Sequence, residues 1–322
     1  MKHRDGILAT SPLAAKEADK AGPLASDGDT QDGQADRSIA DTHELAVHEL
    51  EVRELKLAGF EGPLAGRLYR AAADGRRDLL IVFFHGGGFV DGDLDEADGF
   101  LRRLADATGY PVVLSATYTL APVKPFPAAV EDAHAVLGWA TKHKAKLGWT
   151  GKRMLVAGIE AGGNVAAVAA MMSRDRGAPQ LAGQILIMPM LDPGLSTCSM
   201  REMPTCADEA RVVDDCVAAY RGYLPHAADR SHPYASPLQS SRLKRLPPAL
   251  ILSTDDDPLR DEAEAYGAML IGAGVRTTVR RLPPAQLQEP NARNECACTG
   301  QVLFEIANFI AGLDAGPAPP RR

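Results

Sequence analysis

Three consecutive glycines in Phe84-His85-Gly86-Gly87-Gly88-Phe89, directly after an apolar run, are the first residues of this chain with chemical promise. Glycines let the backbone come close to a ligand and turn its N–H groups inward, which is what stabilising a developing oxyanion requires. Taken alone, the run also reads as an ordinary Gly-rich turn. Further along, Val156-Ala157-Gly158-Ile159-Glu160-Ala161-Gly162-Gly163-Asn164 reads as a strand ending in a sharp turn that opens a helix. It sets a carboxylate, Glu160, at a helix N-terminus, where free amides and partial positive charge favour an anion. A third group, Asp255-Asp256-Asp257-Pro258, follows the apolar run PALILST. Neighbouring carboxylates at a strand end point in different directions, and no His/Asp/Glu set with ligand spacing accompanies them, so no metal site is expected. Asp257 before Pro258 also suits a helix N-cap with proline in the first turn.

Elements of alternating kind must position these residues. Strands are expected over 49–57, 64–70, 79–84, 111–118, 153–158, 183–189, 248–254 and 275–282, and helices over 95–108, 128–146, 162–173, 259–273 and 300–312. Short apolar runs between helices imply a mostly parallel, doubly wound α/β sheet covered on both faces. Val130, Ala133, Val136, Leu137 and Ala140 recur at helical spacing as one core face. Residues 1–42 are polar, without a sustained apolar period, and are expected to form a mobile arm, with a disordered tail at 314–322 and a domain over 43–313 between them.

The ordered set of the HGGG run, Tyr118-Thr119-Leu120-Ala121-Pro122, the elbow at Glu160 and Asp257-Pro258-Leu259-Arg260-Asp261-Glu262 resembles the hormone-sensitive-lipase-like, or GDXG, esterases. The resemblance runs from about residue 50 to about residue 283. It implies an α/β-hydrolase fold with a small helical cap inserted near 192–236, a stretch marked by Met190, Met200, Met203, Tyr220, Tyr223 and Leu224, whose methionines would line an apolar cavity. It implies an oxyanion hole from Gly86, Gly87 and the amide of Ala161, a loop-shaping role for His85, and the triad acid at Asp257. At the serine position, however, stands Glu160, and at the histidine position Leu287. All eight histidines precede Asp257, whereas this fold supplies its base after the acid in chain order. Without hydroxyl and base, acyl transfer lacks both the attacking group and the proton acceptor. The Glu160 carboxylate is expected in or near the hole, as an anion that imitates the oxyanion of an intermediate. A glutamate nucleophile is the alternative, and it too needs a base to activate water.

Composition narrows the partners. With 322 residues, 45% hydrophobic and 24% charged, the chain is an ordinary globular protein. A formal charge of −7 leaves no basic footprint for nucleic acid. The longest apolar runs fall far short of the roughly 18 to 20 residues that span a bilayer, and the polar start lacks a signal-like apolar stretch, so a cytoplasmic protein is expected. The five cysteines have no paired CxxC spacing and are expected as reduced thiols; Cys296 and Cys298 form a lone CAC. No cofactor is expected. The resulting expectation is a lipase-like protein, catalytically inactive, that binds a small apolar or acyl ligand or a protein partner; weak ester hydrolysis through Glu160 is its rival.

Overall fold

The computed structural model describes residues 49–72, 75–202, 207–287 and 292–314. The expected arm, and the tail from 315 onward, lie outside these residues. In chain order the elements are β1 (Leu50–Ala58), β2 (Pro63–Ala71), β3 (Arg77–Phe84), α1 (Asp98–Ala107), β4 (Val112–Ala116), α2 (Ala128–Lys142) and α3 (Lys144–Leu147). They continue with β5 (Trp149–Ile159), α4 (Ala161–Arg176), β6 (Gly183–Ile187), α5 (Cys198–Glu202), α6 (Ala207–Tyr223), β7 (Ala249–Thr254), α7 (Arg260–Gly272), β8 (Thr277–Leu282), α8 (Ala292–Ala297) and α9 (Gly300–Asp314).

One eight-stranded sheet has the order β1-β2-β4-β3-β5-β6-β7-β8. β1 and β2 join antiparallel, and the pairs from β4 to β8 are parallel. The central strands are buried on both sides, which is why β3 reads as the unbroken apolar run LLIVFF. Its residues alternate between two cores: Leu80, Val82 and Phe84 pack with α2, α4 and α7, while Leu79, Ile81 and Phe83 pack with α1 and α9. The five α2 positions expected to form a core face are all buried.

Three departures from the sequence reading have local causes. The helix expected over 128–146 breaks into α2 and α3 at His143, and α3 ends on Gly148 in the left-handed conformation at φ 72°. The stretch 192–236 holds α5, α6 and one short 3₁₀ turn at Ala227–Ser231, and Met200, Tyr220, Tyr223 and Leu224 within it, with Met190 just before it, are packed into the main core; Met203 lies outside the described residues. Finally α8, a single polar helix, occupies a stretch that has no apolar period to announce it.

Parallel strands deliver the three chemical segments to one end of the sheet. The glycine loop follows β3, Glu160 follows β5 and Asp257 follows β7, so all lie beyond strand carboxyl ends, where open α/β sheets place their ligand sites. Close packing holds this end in register: a Cβ on Gly162 would stand 2.1 Å from the Phe84 carbonyl oxygen and 2.3 Å from that of His85. Gly162→Ala is therefore expected to lower the unfolding free energy by about 3 kcal/mol, read as a lower urea midpoint by far-ultraviolet circular dichroism.

Candidate functional site

The elbow is a sharp turn between β5 and α4. Glu160 has φ 54° and ψ −115°, a conformation that costs a non-glycine residue on the order of 1–3 kcal/mol. Backbone bonds impose it: the Glu160 amide donates to Ile187 O at 2.9 Å, and its carbonyl accepts from Gly163, Asn164 and Met190 amides at 3.0, 3.2 and 3.1 Å. The turn lifts the Glu160 side chain toward the glycine loop.

There the Gly87 amide donates to Glu160 Oε2 at 2.8 Å. Gly86 lies against the same oxygen, since a Cβ on it would come within 2.7 Å of Oε2. Among the described residues Gly87 is the amide that bonds this carboxylate. The structure thus brings Glu160 to two of the three expected hole residues, with Ala161 next in the chain.

His85 lies buried at the head of the glycine loop. Burial holds its pKa below the usual imidazole value, against weaker opposing effects from the Gly86 carbonyl, Asp93 and Glu160. Its Nδ1 is 2.8 Å from Gly86 O; a carbonyl only accepts, so Nδ1 carries the hydrogen. The ring stacks on Tyr118 with centroids 4.5 Å apart, and the Tyr118 hydroxyl donates to the carbonyls of His85 and Gly86 at 3.1 and 3.0 Å. Tyr118, part of the YTLAP segment, therefore fastens the loop from outside.

The carboxylates after β7 do part company. Asp255 is exposed and lies 3.7 Å from Arg281. Asp256 accepts from the amides of Ala285 and Gln286 at 2.8 and 2.7 Å and so clamps the loop that follows β8. Asp257 is fully buried, and its Oδ1 accepts from the Leu259 amide at 2.9 Å. The cap expectation needs correction: α7 starts at Arg260 with Leu259 as N-cap and no side-chain cap, because Asp257 binds a turn amide before the helix and turns inward.

Asp257 faces Arg293, a residue that sequence reasoning missed. Arg293 Nη2 is 3.1 Å from Asp257 Oδ1, and its Nη1 is 4.0 Å from Glu160 Oε1. Leu287, expected at the histidine position, is buried in the apolar cluster shared with α1 and α9. The group that links acid and elbow arrives six residues later, on α8. Its one sequence signal was its order, a cation after Asp257; a search confined to histidine passes over it.

Charges here reinforce one another. Burial opposes the Arg293 cation, but Asp257 and Glu160 outweigh it and hold its pKa above the ordinary guanidinium value. Burial raises the pKa of Asp257 above the usual carboxylate value, against the pull of Arg293 and the Leu259 amide. The cap closes on this array. Tyr223 of α6 stacks on Phe89 at 3.9 Å and 3°, and a Cβ on Gly88 would lie 2.8 Å from Ala219 Cβ. On the same helix the Cys216 thiol is buried, and burial pushes its pKa well up, which leaves it a thiol rather than a nucleophilic thiolate. Cys198, Cys216, Cys296 and Cys298 are all free; Cys206 lies outside the described residues.

Comparison with known proteins places these features in a family. The profile described as alpha/beta hydrolase fold matches residues 81–286. The chain is 37% identical over 230 residues to Esterase LipI of Mycobacterium tuberculosis, covering 69% of this chain and 70% of that protein. It is 37% identical over 208 residues to Carboxylesterase NlhH of the same species, covering 63% of this chain and 64% of that one. An esterase structure from Pyrobaculum calidifontis superposes with a TM-score of 0.72 at 36% identity, over 83% of this chain and 88% of that chain.

Replacing the cation tests the array. Arg293→Met leaves two carboxylates facing each other and is expected to cost about 3 kcal/mol near neutral pH. Loss of the guanidinium raises Asp257 further above the value near 3.9 of an unfolded aspartate, so the folded variant binds its proton more tightly than the unfolded chain does. Its stability then falls as pH rises through that raised value. Urea midpoints of variant and parent should be closest near pH 5 and should separate toward about pH 8.

Proposed function

The chain belongs to the alpha/beta hydrolase fold family, and from that premise we propose that it is an esterase-like protein whose elbow site is silent in ester hydrolysis and serves binding instead. The observation that carries this reading is the Glu160 carboxylate bonded to the Gly87 amide, in the place where a reacting carbonyl oxygen would sit. A substrate carbonyl would have to displace a charged side chain from the donor that should polarise it. An esterase attacks with a hydroxyl at the elbow, and here there is none. The described histidine nearest the site, His85, is committed by Nδ1 to the Gly86 carbonyl and lies on the loop rather than beside Asp257.

The roles follow from this. Gly86, Gly87 and Ala161 form the rim of a hole that Glu160 fills, His85 and Tyr118 keep its loop in shape, and Asp257 is retained as the partner of Arg293. An apolar or acyl ligand at the cap would have to displace packing that Tyr220, Tyr223 and Met200 already make with the core.

A second reading has its own support. The relatives named above are called esterases and carboxylesterase, and that likeness favours hydrolysis of carboxylic esters over inactivity. In this chain it would require Glu160 to leave the Gly87 amide and attack as a carboxylate, breaking the ester C–O bond so that the alkoxide leaves and takes a proton from water; water then opens the resulting acyl-glutamyl anhydride, releasing the carboxylic acid and restoring the Glu160 carboxylate. Its ion pair with Arg293 lowers the nucleophilicity such a step demands.

Hydrolysis of p-nitrophenyl acetate and butyrate by the purified protein separates the two. We expect rates at the buffer background for the parent, for Glu160→Ala and for Glu160→Ser, since a hydroxyl without a base remains weak. Turnover by the parent that disappears in Glu160→Ala would establish the second reading.

A further inference from the structure

Gly87 and Arg293 grip one carboxylate between them: the amide donates to Oε2 at 2.8 Å, and the guanidinium stands 4.0 Å from Oε1. We infer that the elbow is a receptor site for a small carboxylate, loaded in the resting protein with the chain's own Glu160. This rests on reading Glu160 as an occupant rather than a nucleophile.

The site is built for such a ligand. Arg293 and Glu160 side chains are each 17% exposed, and Asp257 behind them is 0% exposed. Arg293 Nε is buried without a hydrogen-bond partner among the described residues, so the planar fork keeps a donor in reserve. Phe89 of the loop stacks on Tyr223 of α6, and both rings are buried. The groups facing the carboxylate are few: Arg293 as cation, Asp257 behind it, and the neutral Cys216 thiol from α6. Of the loop acids, Glu96 also feels the Glu160 carboxylate as a like charge, while Asp91 and Asp93 act on His85 and Glu96.

Anion in the hole, cation beside it and anion behind it is also the charge order of a serine hydrolase at its tetrahedral intermediate: oxyanion, imidazolium, aspartate. Here Glu160, Arg293 and Asp257 stand in that spatial order. Dipoles arranged for an oxyanion hold a carboxylate oxygen by the same contacts. Truncating Glu160 to alanine removes two carbons and two oxygens, the heavy atoms of acetate, and leaves donor and cation in place.

Acetate is therefore the probe. Thermal unfolding of the purified full chain carrying Glu160→Ala is measured in sodium acetate against sodium chloride of equal ionic strength. At about ten times its dissociation constant, acetate should raise the variant's Tm by about 3 °C over chloride, while the parent shows no difference. Glu160→Ala with Arg293→Met should lose the effect, and Glu160→Ala with Arg293→Lys, which keeps a cation without the fork, should lose at least half of it. No acetate shift in Glu160→Ala, or an undiminished shift in the Arg293→Lys combination, overturns the receptor site; the lysine variant serves even where the methionine variant fails to fold. Ester hydrolysis by the parent would overturn the silent reading alone, since the acetate shift is read on a variant that lacks Glu160.

Discussion

A guanidinium enclosed by two carboxylates is the interaction on which the carboxyl end of this sheet depends. Asp257 is completely buried, and a buried carboxylate without a partner would protonate or drag water inward. Glu160 projects from a backbone turn that the strand, the helix and the following segment all fix through hydrogen bonds. Arg293, on the short helix α8, bonds Asp257 Oδ1 at 3.1 Å and stands 4.0 Å from Glu160 Oε1, while Ala292 and Ala297 of the same helix pack into the apolar cluster. Removing a neutral residue from such a position leaves a cavity; removing this one leaves like charges facing each other.

Much of the architecture is legible in the sequence because burial on both faces writes it plainly. LLIVFF, RMLVAG and PALILST can be little else than interior strands, and the helices between them carry core faces at regular spacing. The glycine loop and elbow are equally legible, since steric demands on the backbone leave few residue choices. Arg293 was not, for a physical reason. A long side chain reaches its partners from a backbone position with no pattern of its own, and its α-carbon sits six residues from the place that alignment with the family assigns. The split role of Asp256 and Asp257 was hidden for a similar reason, because adjacent carboxylates diverge only once the strand end is fixed in space.

The segment expected to form the cap has a consequence that the resemblance does not imply. Aromatic and sulfur-bearing residues at 190–224 belong over the site, as the resemblance implies. In the structure they are consumed by packing: Tyr223 against Phe89, Tyr220 near the same ring, Phe126 edge-on to Tyr223 at 5.8 Å. The cap therefore contributes cohesion to the fold as well as cover for the loop. Any ligand of the cap must compete with contacts the protein already makes with itself.

The strained turn at Glu160 has one more consequence. Its φ and ψ are dictated by the neighbouring carbonyls and amides, not by the side chain it presents. The backbone bonds that set the turn involve no side-chain atom of Glu160, so the residue on it can be exchanged without removing any of them. The elbow behaves as a socket, its shape held by backbone bonds.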